Sequence, residues 1–297
     1  MVRRDLNTLL QDECALRRHV QQRLDGEGTG MFLNDVTPEK LKDGSVVLFV
    51  LGNCRIESRK GPPEPCLMLT KRSAYVRQAG DLCCPGGGLS WRTDRLLAWF
   101  LLLPGSPLRR WIGRRGLPAL NDAQRRRLAL LLAVGMRETW EEVRMNPFGF
   151  TFLGMLPEQH LVMFNRVIYP MVGWVAAQPF HPNREVDRIV PIPLRRLFDP
   201  NGYGRFRPVM ATTASGDPAH WHRADFPCFT HSDAVGQETL WGATYRITTD
   251  FLQRVFDFSP PSTARRRLVS ERLLDETYLN GAPVDSPQVS AVVKKRS

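Results

Sequence analysis

Residues 137–142 read Arg137-Glu138-Thr139-Trp140-Glu141-Glu142, at the end of a segment that runs from Gln124 to Val143. The spacing predicts a helix here. Asn121 or Asp122 is suited to cap its start, and Pro147 follows its end. In a helix, Glu138, Glu141 and Glu142 stand at i, i+3 and i+4 and project from one face. Three crowded carboxylates repel unless a cation lies between them, and their oxygens suit hard divalent ions such as Mg²⁺ or Mn²⁺. The alternative is a solvated helix face, since such charge runs are common on surfaces. This helix is embedded among many strand-like segments. That order predicts an α+β fold, an α/β/α sandwich with a mixed sheet, rather than a doubly wound parallel sheet.

Outward from the helix, Ser45–Leu51 is a short continuous apolar run and reads as a buried strand. Cys66–Thr70, Phe150–Leu156, Val162–Phe164 and Val167–Ala176 are further strand candidates, and Arg205–Thr213, Cys228–His231 and Thr244–Thr248 are weaker ones. Residues 1–24 read as one amphipathic helix and Thr37-Pro38 as a helix start or turn. Residues 57–65 are charged and proline-rich and read as a loop. A short helix is expected at Leu194–Phe198, another at Thr249–Phe256 and a third over Thr263–Leu279. Residues 281–297 are expected to be loosely ordered.

The chain has 297 residues, 42% of them hydrophobic, enough for a sizeable core. Its six cysteines (14, 54, 66, 83, 84 and 228) show no CxxC or Cys/His ligand spacing, which argues against zinc. They are read as reduced thiols, the vicinal Cys83-Cys84 included, in a cytoplasmic or other reducing compartment. The N-terminus lacks the apolar core of a signal peptide, and no apolar run reaches membrane-spanning length. Residues 90–128 hold nine arginines against two aspartates, so +7 of the formal +11 charge comes from one segment. A whole-protein nucleic-acid reading is correspondingly weak.

Pro85-Gly86-Gly87, followed by Arg137-Glu138-x-x-Glu141-Glu142, resembles the Nudix box, Gly-x5-Glu-x7-Arg-Glu-U-x-Glu-Glu-x-Gly-U with U aliphatic. Leu67–Ser73, then Arg77, Gly80 and Pro85-Gly86-Gly87, resemble the additional signature of coenzyme A-directed Nudix pyrophosphatases. Asn183-Arg184-Glu185-Val186 leading to Pro193-Leu194, and Leu240–Thr244, are similar to the same subfamily. The resemblance covers roughly residues 40–256, and its pieces stand in the family's order.

The resemblance implies an organisation: a helical extension over 1–39, a hydrolase domain over 40–258 with an insertion at about 90–128, and a helical or flexible tail over 259–297. It implies that Glu138, Glu141 and Glu142, with the Gly86 carbonyl, hold Mg²⁺ or Mn²⁺, and that Arg137 orients the glutamates. The alternative for Arg137 is a surface pair with Glu141. Arg72 and Arg77 are the candidates for binding the anionic substrate, with Lys71 and Gly87 beside them. Glu185 is a candidate base or further ligand, as are Glu158 and His160. The implied reaction is metal-dependent hydrolysis of coenzyme A or a derivative to 3′,5′-ADP and 4′-phosphopantetheine. Hydrolysis of NADH or ADP-ribose, or a degenerate CoA-binding module, are the alternatives. For the insertion, a solvated excursion, a substrate lid and a contact with a membrane surface are all open.

Three departures stand out. Roughly forty extra residues separate the glycines from Arg137. Counted back from Arg137, the first box glutamate falls at Ala129, and no acid lies between 123 and 136. The box glycine after the helix is Arg144, and the Phe expected before Pro85 is Cys84.

Overall fold

The computed structural model describes residues 3–26, 29–34, 36–55, 61–104, 106, 108, 120–161, 166–211, 221–263, 266–274 and 278. Four helices come first: α1 (Arg3–Gln11), α2 (Glu13–Gly26), α3 (Thr29–Asn34) and α4 (Pro38–Lys42). The single helix expected over 1–24 is therefore two, parted at Asp12, whose side chain accepts from the Ala15 N–H at 3.0 Å and starts α2. Thr37 caps α4 through its hydroxyl, with Pro38 in the first turn.

Strands β1 (Ser45–Cys54), β2 (Glu64–Arg72), β3 (Leu82–Cys83) and β4 (Gly86–Gly88) follow. Next come helices α5 (Trp91–Leu102) and α6 (Asp122–Val143), then β5 (Phe150–Met155), β6 (Gln159–Leu161), β7 (Arg166–Val175) and β8 (Val186–Pro193). Together these strands form one sheet of order β3-β2-β1-β7-β5, with β4 on β1, β6 on β7 and β8 on β2. β1 and β7 run parallel and the other pairs are antiparallel, so the sheet is mixed, as expected from the sequence.

Alternate residues of β1 explain why it reads as a continuous apolar run. Val46, Leu48 and Val50 face one core with Leu128, Leu131 and Leu132 of α6. Val47, Phe49 and Leu51 face a second core with Leu16, Val20 and Leu24 of α2. A strand covered by helices on both faces has no polar side to show.

Beyond the short helix α7 (Leu194–Leu197), strands β9 (Tyr203–Ala211), β10 (Trp221–Arg223), β11 (Phe226–Ser232) and β12 (Gln237–Trp241) build a second sheet. Helix α8 (Gly242–Phe256) and strand β13 (Leu268–Leu274) end the described elements. Two sequence expectations are corrected here. Thr244–Thr248 is not a strand but the first half of α8. The helix buries Thr244, Ile247, Thr248, Phe251 and Val255 along one stripe, and this tertiary burial outweighs the intrinsic strand preference of the β-branched residues among them. Within the span 263–279 expected to be helical, Leu268–Leu274 is strand β13, which pairs parallel to β9. Val162–Phe164 and 281–297 lie outside the described residues.

The cysteines bring a third correction. Cys54 and Cys66, diagonal partners across β1 and β2, are joined by a disulfide with Cα atoms 6.1 Å apart. Cys83 and Cys84 are free, as expected. No helix among the described residues is long and apolar enough to cross a membrane.

Candidate active site

The site forms where β4 meets the last turns of α6. Gly86 and Gly87 lie opposite Val47 and Val46 of β1, and the Leu48 N–H donates to the Pro85 carbonyl at 2.9 Å. Gly86 has φ of 151°, and a Cβ there would sit 2.2 Å from the Val46 carbonyl oxygen, so no other residue fits. A Cβ on Gly87 would lie 2.6 Å from both carboxylate oxygens of Glu138. The bare backbone at 87 is what lets that carboxylate lie against the strand.

Glu142 lies near enough to the same strand for the Gly86 N–H to favour its charged form. Burial, then the like charge of Glu138, pushes its carboxyl up to about 8. The Gly86 N–H and the Arg72 charge pull it down, and Glu185 adds to the rise. One of its oxygens, Oε2, is buried without a hydrogen-bond partner. Glu138 is also shifted up, chiefly by burial, against the pull of Arg137.

Arg137 is the hub. Its Nε donates to Asp94 Oδ1 at 2.7 Å and its Nη2 to Asp94 Oδ2 at 3.1 Å, a bidentate pair. Its Nη1 donates to Glu141 Oε2 at 2.9 Å and its Nη2 to the Gly88 carbonyl at 2.9 Å, while Glu138 Oε1 lies 3.0 Å from Nη2. These bonds, that to Asp94 first, hold the guanidinium above its ordinary pKa. Asp94 is fully buried (0% exposed) and also accepts from the Ser90 N–H at 2.6 Å.

Asp94 is the residue that sequence reasoning missed. Counting back from Arg137 led to Ala129, which the structure buries in the apolar core. Counting forward from Gly88, five residues precede Asp94, the spacing the box gives for its first acid. The interruption thus begins after Asp94 and not near residue 90. Forty-two residues separate Asp94 from Arg137 where the pattern has seven. Helices α5 and α6 fold the excursion back so that its two ends touch.

The helix end departs from expectation as well. Arg144 itself takes the left-handed conformation (φ 55°) that the missing glycine would favour, so Pro147 is not needed to stop α6. Its guanidinium stacks over Trp140 at 4.2 Å. The last carbonyls of α6 are taken by the next loop. Asn183 N–H donates to Glu142 O at 2.7 Å and His181 N–H to Val143 O at 2.8 Å. Asn183 Oδ1 in turn accepts from the Glu185 N–H at 2.8 Å. This docking brings Glu185 close enough for its charge to act on Glu142.

The substrate-side candidates separate. Arg72 acts electrostatically on Glu142 and on the Cys83 thiol, so it lies at the site. Its Nε is held by the Arg77 carbonyl at 2.6 Å, while the Arg77 side chain is exposed. Lys71 is not brought in. As the adjacent strand residue it points to the other face, where its ammonium pairs with Glu238 at 2.7 Å beside Arg188. Glu158 pairs with His160 at 3.1 Å and with Lys40 at 3.8 Å, apart from the three glutamates.

The donor chemistry fits a hard divalent cation. Two desolvated, mutually repelling carboxylates and a buried oxygen without a partner are what such an ion would relieve. Among the described residues no three acidic or histidine groups already converge into a ligand cage. Glu141 is turned onto Arg137 instead, and Glu138 is shared between Arg137 and Gly87.

No family model matches the chain. Over 139 residues it is 32% identical to an uncharacterized Nudix hydrolase, NudL, of Pectobacterium atrosepticum. That match covers 46% of this chain and 54% of the relative, so the chain spans about half of the relative's length. A MutT/nudix family protein from Enterococcus faecalis aligns over 83% of this chain and 75% of its own, with 10% identity and a TM-score of 0.35. A NUDIX hydrolase from Nitrosomonas europaea aligns over 79% and 80%, with 10% identity and a TM-score of 0.34. At those scores the structural likeness carries no argument about function.

Proposed function

We propose that this chain is a metal-dependent Nudix hydrolase that cleaves the pyrophosphate of coenzyme A or an acyl derivative, giving 3′,5′-ADP and 4′-phosphopantetheine. The observation that carries the hydrolase reading is the gathering of Glu138 and Glu142 against Gly86-Gly87, with Arg137 clamped by the buried Asp94. The partial likeness to a Nudix hydrolase supports it. The coenzyme A reading rests on the Leu67–Ser73 and Gly80–Gly87 resemblance, and on Arg72 standing beside Glu142.

Glu138, Glu141 and Glu142, with the Gly86 carbonyl, would hold Mg²⁺ or Mn²⁺. When bound, the ions neutralise phosphate charge and make a bound water a stronger nucleophile. The chain's own residues do the rest. Arg137 fixes the rotamers of Glu138 and Glu141 from behind, a role that depends on Asp94. Arg72 places a guanidinium where a phosphate oxygen can be met bidentately. Glu185, whose backbone N–H is held by Asn183, would take a proton from water near Glu142.

A broader reading, hydrolysis of another nucleoside-diphosphate derivative, gains from two observations. Lys71 is engaged elsewhere and the Arg77 side chain is exposed, which thins the coenzyme A-specific set. Turnover of coenzyme A, acyl-CoA, NADH and ADP-ribose with Mg²⁺ or Mn²⁺ separates the two. Preference for CoA species supports the first reading, and equal or greater turnover of NADH or ADP-ribose overturns it. Glu142→Gln should lower kcat by ~10²-fold or more at saturating metal. Full activity in that variant would remove Glu142 from the metal site.

A further inference from the structure

Helix α5 has an inner and an outer face of different function. The inner face packs on α6, with Asp94 and Ala98 buried. The outer face leaves Leu96 (56%), Trp99 (55%) and Phe100 (51%) exposed, with Arg92 and Arg95 exposed among them. At about 100° per residue, 92, 95, 96 and 99 share one arc and 100 borders it. A surface helix of a globular protein places polar residues on that arc. Here three large apolar side chains stand together, and nothing within the described residues buries them.

Charge decides between occupants. A second copy of the chain meeting this face would bring two patches carrying Arg92 and Arg95, like in sign, together on a chain of net charge +11. An anionic surface complements the same residues. Arg126 lies about three turns before Arg137 on the same side of α6 and is also exposed. Guanidinium groups flanking Trp, Phe and Leu on one helical arc are the composition of helices that lie in a membrane interface. Twelve residues are too few to span a bilayer.

We propose that the outer face of α5 docks on an anionic lipid surface. Leu96, Trp99 and Phe100 enter the boundary between headgroups and acyl chains, and Arg92 and Arg95 meet lipid phosphates and carboxylates. Docking would hold Asp94, on the inner face of the same helix, and with it the Arg137 of α6 that it pairs with, at a fixed height above the lipid. The proposal does not depend on the hydrolase reading, because its readout is binding.

The test is flotation of the full chain with phosphatidylcholine vesicles, with and without phosphatidylserine, at low and high salt. Two basic residues near the surface predict roughly tenfold or greater preference for the anionic vesicles, lost at high salt. The triple variant L96S/W99S/F100S should lose binding to both by at least roughly tenfold. R92Q/R95Q should lose the anionic preference alone. All five positions are exposed, so melting temperatures should stay unchanged. A blue shift of tryptophan fluorescence on vesicle addition to the unaltered chain gives a reading free of any variant. No binding to either vesicle, or equal binding by the triple variant, overturns the proposal. A concentration-dependent dimer that L96S/W99S/F100S abolishes assigns the face to a second copy instead.

Discussion

Glu142 carries the largest electrostatic strain in the site, and the strain has a measurable pH signature. Its carboxyl titrates near 8 in the folded chain, against about 4.5 when unperturbed. Between those values the native state keeps a proton that the unfolded chain releases. Stability from this group is therefore full below about pH 4.5 and is lost as pH rises through about 8. The metal-free protein should melt at progressively lower temperature across that window, and Glu142→Gln should flatten the slope. Added Mg²⁺ or Mn²⁺ should restore the loss at pH 8; a melting temperature independent of both pH and metal would contradict the geometry. Asp94 acts one step further out. Asp94→Asn keeps a hydrogen bond to Arg137 but removes the charge, and should lower activity by about 10–100-fold. Because the damage would pass through the proposed metal ligands, half-saturation should shift to higher Mg²⁺, which a purely structural lesion would not produce. At this scale the sequence showed the three glutamates and Arg137, since i, i+3, i+4 spacing is local. It hid Asp94, because that residue's partner lies forty-three positions downstream and only folding sets the two side by side.

Among the elements, α6 was legible at its start, where Asn121 and Gln124 form a reciprocal capping box, but not at its end, which Arg144 closes in the left-handed conformation in place of a glycine. Strand β1 was legible from its apolar run. β13 was not, because its pairing with β9 is long-range and Ser270, Glu271 and Arg272 interrupt its apolar residues. This strand has a further effect on the site. Arg272, at its end, and Tyr278 just beyond it both bond to Asp81, with Tyr278 Oη 2.6 Å from Oδ2. Trp241 Nε1 donates to the same carboxylate at 3.1 Å. The Asp81 carbonyl accepts from the Arg72 N–H at 3.0 Å, so Arg272 and Tyr278 brace the end of β2, which carries the phosphate-binding candidate Arg72. Tyr278→Phe should cost about 1–2 kcal/mol of stability. It should also raise KM more than it lowers kcat, and an unchanged KM would show that the brace does not reach the substrate.

For the whole molecule, the mixed sheet with helices on both faces follows from β1 being apolar on both sides, and that much was readable as an α+β class. The second sheet was less so, since its strands alternate weakly. The cysteine inventory misled for a similar reason: Cys54 and Cys66 carry no motif, and only the β1–β2 register makes them neighbours. The last consequence belongs to the contact between Asp94 and Arg137. The chain leaves the site at one of these residues and returns at the other, so their ion pair works as a neck. Closing a longer loop adds free energy only logarithmically, about 0.6 kcal/mol per doubling. Residues beyond the packed turns of α5 and α6 can therefore lengthen, shorten or change composition while the carboxylates stay in place. Such a neck gives the fold a point of growth, where a lineage can add an accessory surface without rebuilding its chemistry.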